Sequence, residues 1–231
     1  MKVVLGIDPT VTTVSVAAFA WDETSSEAFL QARLINSPDP VADPRLEDHA
    51  RRTLLTADEV MARVVVVQPE LVVLSKPSVG PSHTDQYAHR RLALHSEILH
   101  RLVESEIPVA ECPAMVLVRW LLNRTRTPKD WTEINTAVTR TWGVPEVRID
   151  VTGEDGNTTT VEETNPPGWR PTTVCLAGVG AVALGIPTAC RVTDAGLAVL
   201  HEATLPTSRG RELTLPRGME IPASVRERVS T

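Results

Sequence analysis

The stretch Lys2-Val-Val-Leu-Gly-Ile-Asp-Pro-Thr-Val-Thr-Thr-Val-Ser-Val-Ala-Ala-Phe19 constrains this chain more than any other. Val3–Ile7 is apolar without interruption and ends on Asp8; a tight turn follows, then a second apolar run over Val14–Trp21. Continuous apolar runs of this length mark strands buried on both faces. A carboxylate that closes such a strand is costly to bury unless it has a partner, a hydrogen-bond network or a metal. Asp8 is therefore a candidate site residue. The plainer reading is an Asx-type turn, in which the side chain caps its own backbone.

The rest of the chain continues the pattern. A third strand is expected over Ala28–Asn36, then a proline-rich loop from Ser37 to Pro44. A helix over Leu46–Val66 places Leu46, Ala50, Leu54, Met61 and Val65 near one face, and Gln68-Pro69 ends it. Leu71–Ser75 reads as a strand inside a parallel sheet, Thr84–Glu104 as a helix and Val109–Glu111 as a short strand. Pro113 opens a short helix to Leu122, and Thr127-Pro128-Lys129-Asp130 has the pattern of a helix cap. Val147–Thr164 alternates and turns at Glu154–Asn157, which predicts a β-hairpin. Asn165–Pro171 is a loop, Thr172–Leu184 a buried helix, and about Leu205–Thr231 an extended tail suited to lying on a partner or a second copy, or to making long-range contacts.

The 231 residues suit one domain, 1–204, with the hairpin at about 147–164 and the tail at 205–231. A net charge of -6 argues against a broad face for non-specific duplex binding but leaves room for a local basic patch. No run is long enough to span a membrane, no leader precedes the first strand, and Cys112, Cys175 and Cys190 lack metal-ligand spacing. These features suit reduced cysteines in a cytoplasmic protein. Lysine is confined to Lys2, Lys76 and Lys129, which with the Ala, Val and Arg content suggests a GC-rich genome such as that of an actinobacterium or its phage.

Four segments, in this order, resemble the RuvC family of Holliday junction resolvases: Leu5-Gly-Ile-Asp-Pro9, Val67–Leu74, Ile107-Pro-Val-Ala-Glu111 and Thr127-Pro-Lys129. The resemblance covers Lys2 to about Leu184. It implies an α/β, ribonuclease H-like mixed sheet, three antiparallel strands followed by parallel ones, flanked by helices. It also implies branched-DNA binding, a two-fold dimer, and four acids around two magnesium ions. Two-metal hydrolysis needs several converging hard oxygen ligands. Only Asp8 matches. The glutamate expected at the end of the fourth strand falls on Ser75, followed by Lys76, and the acids expected in the last helix fall at about Cys175 and Gly178.

These mismatches lead to an expectation of a family member that binds branched DNA or serves in an assembly, with the metal site lost and no cofactor. Lys76 either substitutes for a metal beside Asp8 or leaves the strand for solvent. If the acids have moved instead, Glu162, Glu163 or Asp150 are the replacements, magnesium is the cofactor, and the chain is an active resolvase; a solvated hairpin face explains those charges more simply. Arg119, Arg124, Arg126 and Lys129, interleaved with Trp120 and Trp131, form a candidate nucleic-acid patch. The alternative is buried tryptophans with solvated arginines. His83 and Asp85 suit a base and its orienter, or a helix cap. His89, His95 and His100 read as surface or boundary residues, Trp142 and Trp169 as packing residues. An actin- or hexokinase-like nucleotide site, with Gly178-Val-Gly180 as a phosphate loop, is a further alternative. The length and the lack of a glycine in the turn Pro9–Thr13 weigh against it.

Overall fold

A computed structural model describes residues 1–77, 87–124, 131–152, 156–188, 193–203 and 212–226. Strands β1 (Lys2–Pro9), β2 (Thr13–Asp22) and β3 (Glu27–Asn36) form an antiparallel meander. Helix α1 (Leu46–Val67) leads to β4 (Leu71–Ser75), which pairs parallel to β1. Helix α2 (Ala88–Glu104) leads to β5 (Val109–Cys112), parallel to β4. Helices α3 (Ala114–Leu122) and α4 (Thr132–Trp142) precede the hairpin β6 (Glu146–Thr152) and β7 (Thr158–Thr164). Helices α5 (Thr172–Ala183), α6 (Asp194–Ala203) and α7 (Ala223–Arg226) complete the described elements. The sheet order is β5-β4-β1-β2-β3-β6-β7, so β1 is an inner strand. The hairpin extends the sheet, with β6 parallel to β3.

Alternation along β1 divides the core. Val3, Leu5 and Ile7 face a layer made by α1 and α2, which buries Ala57, Val60, Met61, Val64, Leu94, Ile98 and Leu102. Val4, on the other face, packs in the cluster that includes α5. Gly6 and Asp8 share that second face, because strand residues two apart point the same way. Helix α5 is apolar all round and buried throughout, the mark of a helix enclosed by other elements. It lies on the sheet by glycine contacts. A Cβ at Gly6 would overlap the Thr173 carbonyl oxygen and the Ala177 nitrogen, and one at Gly180 would lie 2.6 Å from Val4 Cγ1 and Val73 Cγ2. Gly178 meets the ring of Trp142 from α4 on the far side. These two helical glycines are packing positions, and the phosphate-loop reading of Gly178-Val-Gly180 is corrected accordingly.

Most expected elements are present. The buried face of α1 differs: Thr56, Ala57, Val60, Met61 and Val64 are buried, whereas Leu46, Leu54 and Val65 are exposed. The apolar residues of α1 fall on more than one face, and the packing surface of the sheet selects among them. The cap expected at residues 127–130 lies outside the described residues, and so do His83 and Asp85. Helix α6 was not expected. The described part of the tail packs on its own chain. Thr214 exchanges backbone hydrogen bonds of 2.9 Å with Glu111, and Leu213 and Ile221 are buried in the main core. This contact covers part of the β5 edge, where unpaired backbone would otherwise be open. Cys112 and Cys175 are buried and not disulfide-bonded. No helix among the described residues is long and apolar enough to cross a membrane.

Candidate functional site

Asp8 ends β1 and is 6 % exposed. Its neighbour across β2 is Ser15, and Ile7 pairs with Leu74, which brings Ser75 beside it. Thr172 Oγ1, in the first turn of α5, donates to Asp8 Oδ2 at 3.4 Å, and Arg170 Nη1 lies 3.5 Å from the same oxygen. Burial pushes the Asp8 carboxyl above the usual carboxylate range; the Arg170 charge and hydrogen bonds from Ser75, Arg170 and Thr172 act against it. The desolvation cost outweighs the partners because the Arg170 side chain is 52 % exposed, and water screens its charge.

The loop that carries Arg170 is fixed by contacts with the start of β2. Gly168 has φ +87° and packs against Thr13, whose Oγ1 donates to the Gly168 carbonyl at 3.3 Å. A side chain at Gly168 would meet both the left-handed backbone and Thr13. The Arg170 amide donates to Ser15 Oγ at 3.0 Å. Ser15 is the residue opposite Asp8, so this bond anchors the Arg170 backbone within side-chain reach of the carboxylate.

Lys76 leaves β4 at the same tip but pairs with Glu111 at 2.9 Å. Neither expectation for Lys76 holds unchanged: its ion-pair partner is the β5 carboxylate. Behind this pair, His95 is buried, with Nε2 3.3 Å from Glu111 Oε1, an approach without hydrogen-bond alignment. Burial lowers the His95 pKa; Glu111 opposes that shift and Lys76 adds to it. His95 is thus an interior residue, which corrects its assignment to the surface or boundary; His89 and His100 are exposed.

Asp8, Ser75, Lys76 and Arg170 open onto one cleft of about 420 Å³, also lined by Arg91, Trp131 and Trp169. Trp131 is 43 % exposed and Trp169 is buried. Among the described residues the cleft lining carries three cations, Lys76, Arg91 and Arg170, and one carboxylate, Asp8.

The remaining candidates are placed elsewhere. Trp120 is 2 % exposed, so it is a core residue and offers no stacking platform. Arg119 forms two hydrogen bonds with Glu202 of α6, at 2.6 and 2.9 Å, and Arg124 pairs with Glu133 at 2.5 Å. Arg126 and Lys129 lie outside the described residues. Asp150 is held by Arg33, Arg63 and Thr160, and Glu162 by Arg148. Both sit on the sheet face opposite Asp8, because Val147 and Ile149 occupy the α5 side. At about 4.8 Å per strand, β6 is ~14 Å and β7 ~19 Å from β1, which also removes Glu163. The hairpin therefore does not carry Asp150, Glu162 or Glu163 to Asp8.

One carboxylate with a guanidinium against it is a poor fit for two magnesium ions. Among the described residues no three His, Cys, Asp or Glu side chains gather as a metal-binding group. Cys175 and Gly178 face core partners on α5.

An inner β1 ending in an acid, a three-strand meander, parallel β4 and β5, and a buried helix over the β1 tip define a ribonuclease H-like α/β fold. The particular form of that fold is RuvC-like. The structure of Thermus thermophilus RuvC matches 76 % of this chain and 91 % of its own length, with a TM-score of 0.50 and 17 % identity. The T. thermophilus RuvC structure in complex with a Holliday junction substrate matches 77 % of this chain and 90 % of its own length, with a TM-score of 0.51 and 16 % identity. No family model matches the chain, and no curated protein does.

Proposed function

We propose that this protein binds branched DNA at the tip of its sheet and does not cleave it by two-metal hydrolysis. The observation that carries the reading is the cation-rich cleft around Asp8, at the tip of the inner strand β1 of a RuvC-like fold. Phosphates supply most of the affinity in protein–DNA complexes, and cations recognise them. The T. thermophilus protein of the same fold is seen with a Holliday junction. Ligand counting argues against cleavage: among the described residues no other acid joins Asp8, Ser75 replaces a second acid, and Asp150, Glu162 and Glu163 belong to other parts of the sheet. A homodimer and a phage origin belong to the same reading.

A mobility-shift titration with a four-way junction and a duplex of equal length tests the binding, and incubation with magnesium or manganese tests the chemistry. Junction binding without nicks is expected. Equal affinity for both DNAs refutes the structure-specific reading. Metal-dependent nicking that disappears in Asp8→Asn would establish the active resolvase instead.

A further inference from the structure

The site has an acid where a metal would be held and a basic side chain directly against it. Arg170 Nη1 lies 3.5 Å from Asp8 Oδ2, and both residues line the cleft. The Arg170 backbone is anchored beside the Asp8 strand end, which puts the guanidinium within reach of the carboxylate. The Arg170 amide is bonded to Ser15, the strand neighbour of Asp8, and the preceding Gly168 is packed on Thr13. Half of the Arg170 side chain remains open to solvent, so its outer N–H groups are available on the cleft side. Lys76 stands at the neighbouring strand end, with its own pairing to Glu111. Trp131 supplies a partly exposed ring on the same cleft.

We propose that Arg170 is the built-in cation of this site: it takes the place of a divalent ion beside Asp8 and, with Lys76, holds a DNA phosphate directly. Trp131 then stacks on an unpaired base next to that phosphate. Guanidinium binds phosphate through a planar fork of donors, whereas a metal ion would need several more oxygen ligands than Asp8 provides. The branched DNA of the preceding section supplies both parts of the ligand, since base pairing is interrupted at a crossover. This inference rests on that reading, but adds that binding is independent of divalent metal and that its determinants are Arg170, Lys76 and Trp131.

The test is junction affinity of the full chain as a function of salt, measured in EDTA and in magnesium at matched ionic strength. The parent should bind equally in both. Arg170→Gln and Lys76→Gln should each reduce the slope of log affinity against log salt by about 1, the value for one lost phosphate contact. Arg170→Lys, which keeps the charge, should retain the slope. Trp131→Ala should weaken junction binding roughly 5- to 150-fold, the range for one lost base stack. Trp131→Phe should keep most of the affinity while losing the fluorescence quench that the parent gives on binding.

A parent that binds no junction overturns both this inference and the proposed function. A parent that binds only with magnesium overturns the inference and leaves the function standing. So do unchanged slopes in folded Arg170→Gln and Lys76→Gln proteins. If Arg170→Gln does not fold, Lys76→Gln and Trp131→Ala decide, and parental binding by both refutes the proposal.

Discussion

Replacing Asp8 by Asn should make the protein more stable at neutral pH. The substitution keeps the shape and removes the charge. Taking a carboxylate out of water costs several kcal/mol even after relaxation. The pair with Arg170 returns only about 0–1 kcal/mol, because that guanidinium is half exposed. The long bond from Thr172 and the one from Ser75 together return ~2 kcal/mol. A net cost of about 1–2 kcal/mol remains in the folded state. The amide of Asn avoids most of it, and Arg170 left alone can still be solvated.

For a chain of this size each kcal/mol moves the melting temperature by about 2–4 °C, so a rise of ~2–8 °C is expected at pH 7. The sign with pH follows from linkage. Folding raises the Asp8 pKa, so the folded state is favoured with Asp8 protonated. That stability is fully present below the unfolded pKa near 3.8 and is lost as pH rises through the higher folded value. The advantage of Asn over Asp should therefore be large at pH 7 and shrink towards pH 4. Calorimetry of both proteins across that range is the assay. An Asn variant less stable than the parent at pH 7, or a gain that grows on acidification, would refute the account of Asp8 as an underpaired buried acid.

Three further outcomes are expected. Gly6→Ala should cost about 3 kcal/mol or more in urea denaturation, since the added methyl meets the α5 backbone, which cannot rotate away; a cost below ~1 kcal/mol would show that α5 can shift. Asp150→Asn should destabilise by about 1 kcal/mol at pH 7 by weakening the links to Arg33, Arg63 and Thr160. Burial raises the Asp150 pKa, but the Thr160 and Arg33 hydrogen bonds and the charges of Arg33 and Arg63 lower it overall; the difference from Asn should fade as pH drops through its folded value, and a constant difference down to pH 2 would contradict this. Arg119→Ala should cost about 1 kcal/mol and loosen α6, and a matching loss in Glu202→Ala with no further loss in the double variant would identify the pair as the cause; additive losses would not.

The sequence alone carried the architecture. The apolar runs at Val3–Ile7 and Leu71–Leu74, the turn after Asp8 and the alternation of residues 147–164 are local patterns, and they became two buried strands, the link from β1 to β2, and a hairpin. Asp8 at a strand end, with Ser75 beside it, was legible for the same reason: strand ends that share a sheet tip follow from order and direction. What the tertiary structure decided was pairing between distant residues. Lys76 met Glu111 rather than Asp8, because β5 is its edge neighbour, and His95 was drawn inside with them. Arg170 reached Asp8 only because the hairpin joined β3 and its outgoing loop was bonded to Thr13 and Ser15. No spacing in the chain encodes a contact across 162 residues. The faces of α1 and the burial of Trp120 were likewise chosen by the surfaces they met, since an apolar residue specifies that it will be covered but not by what.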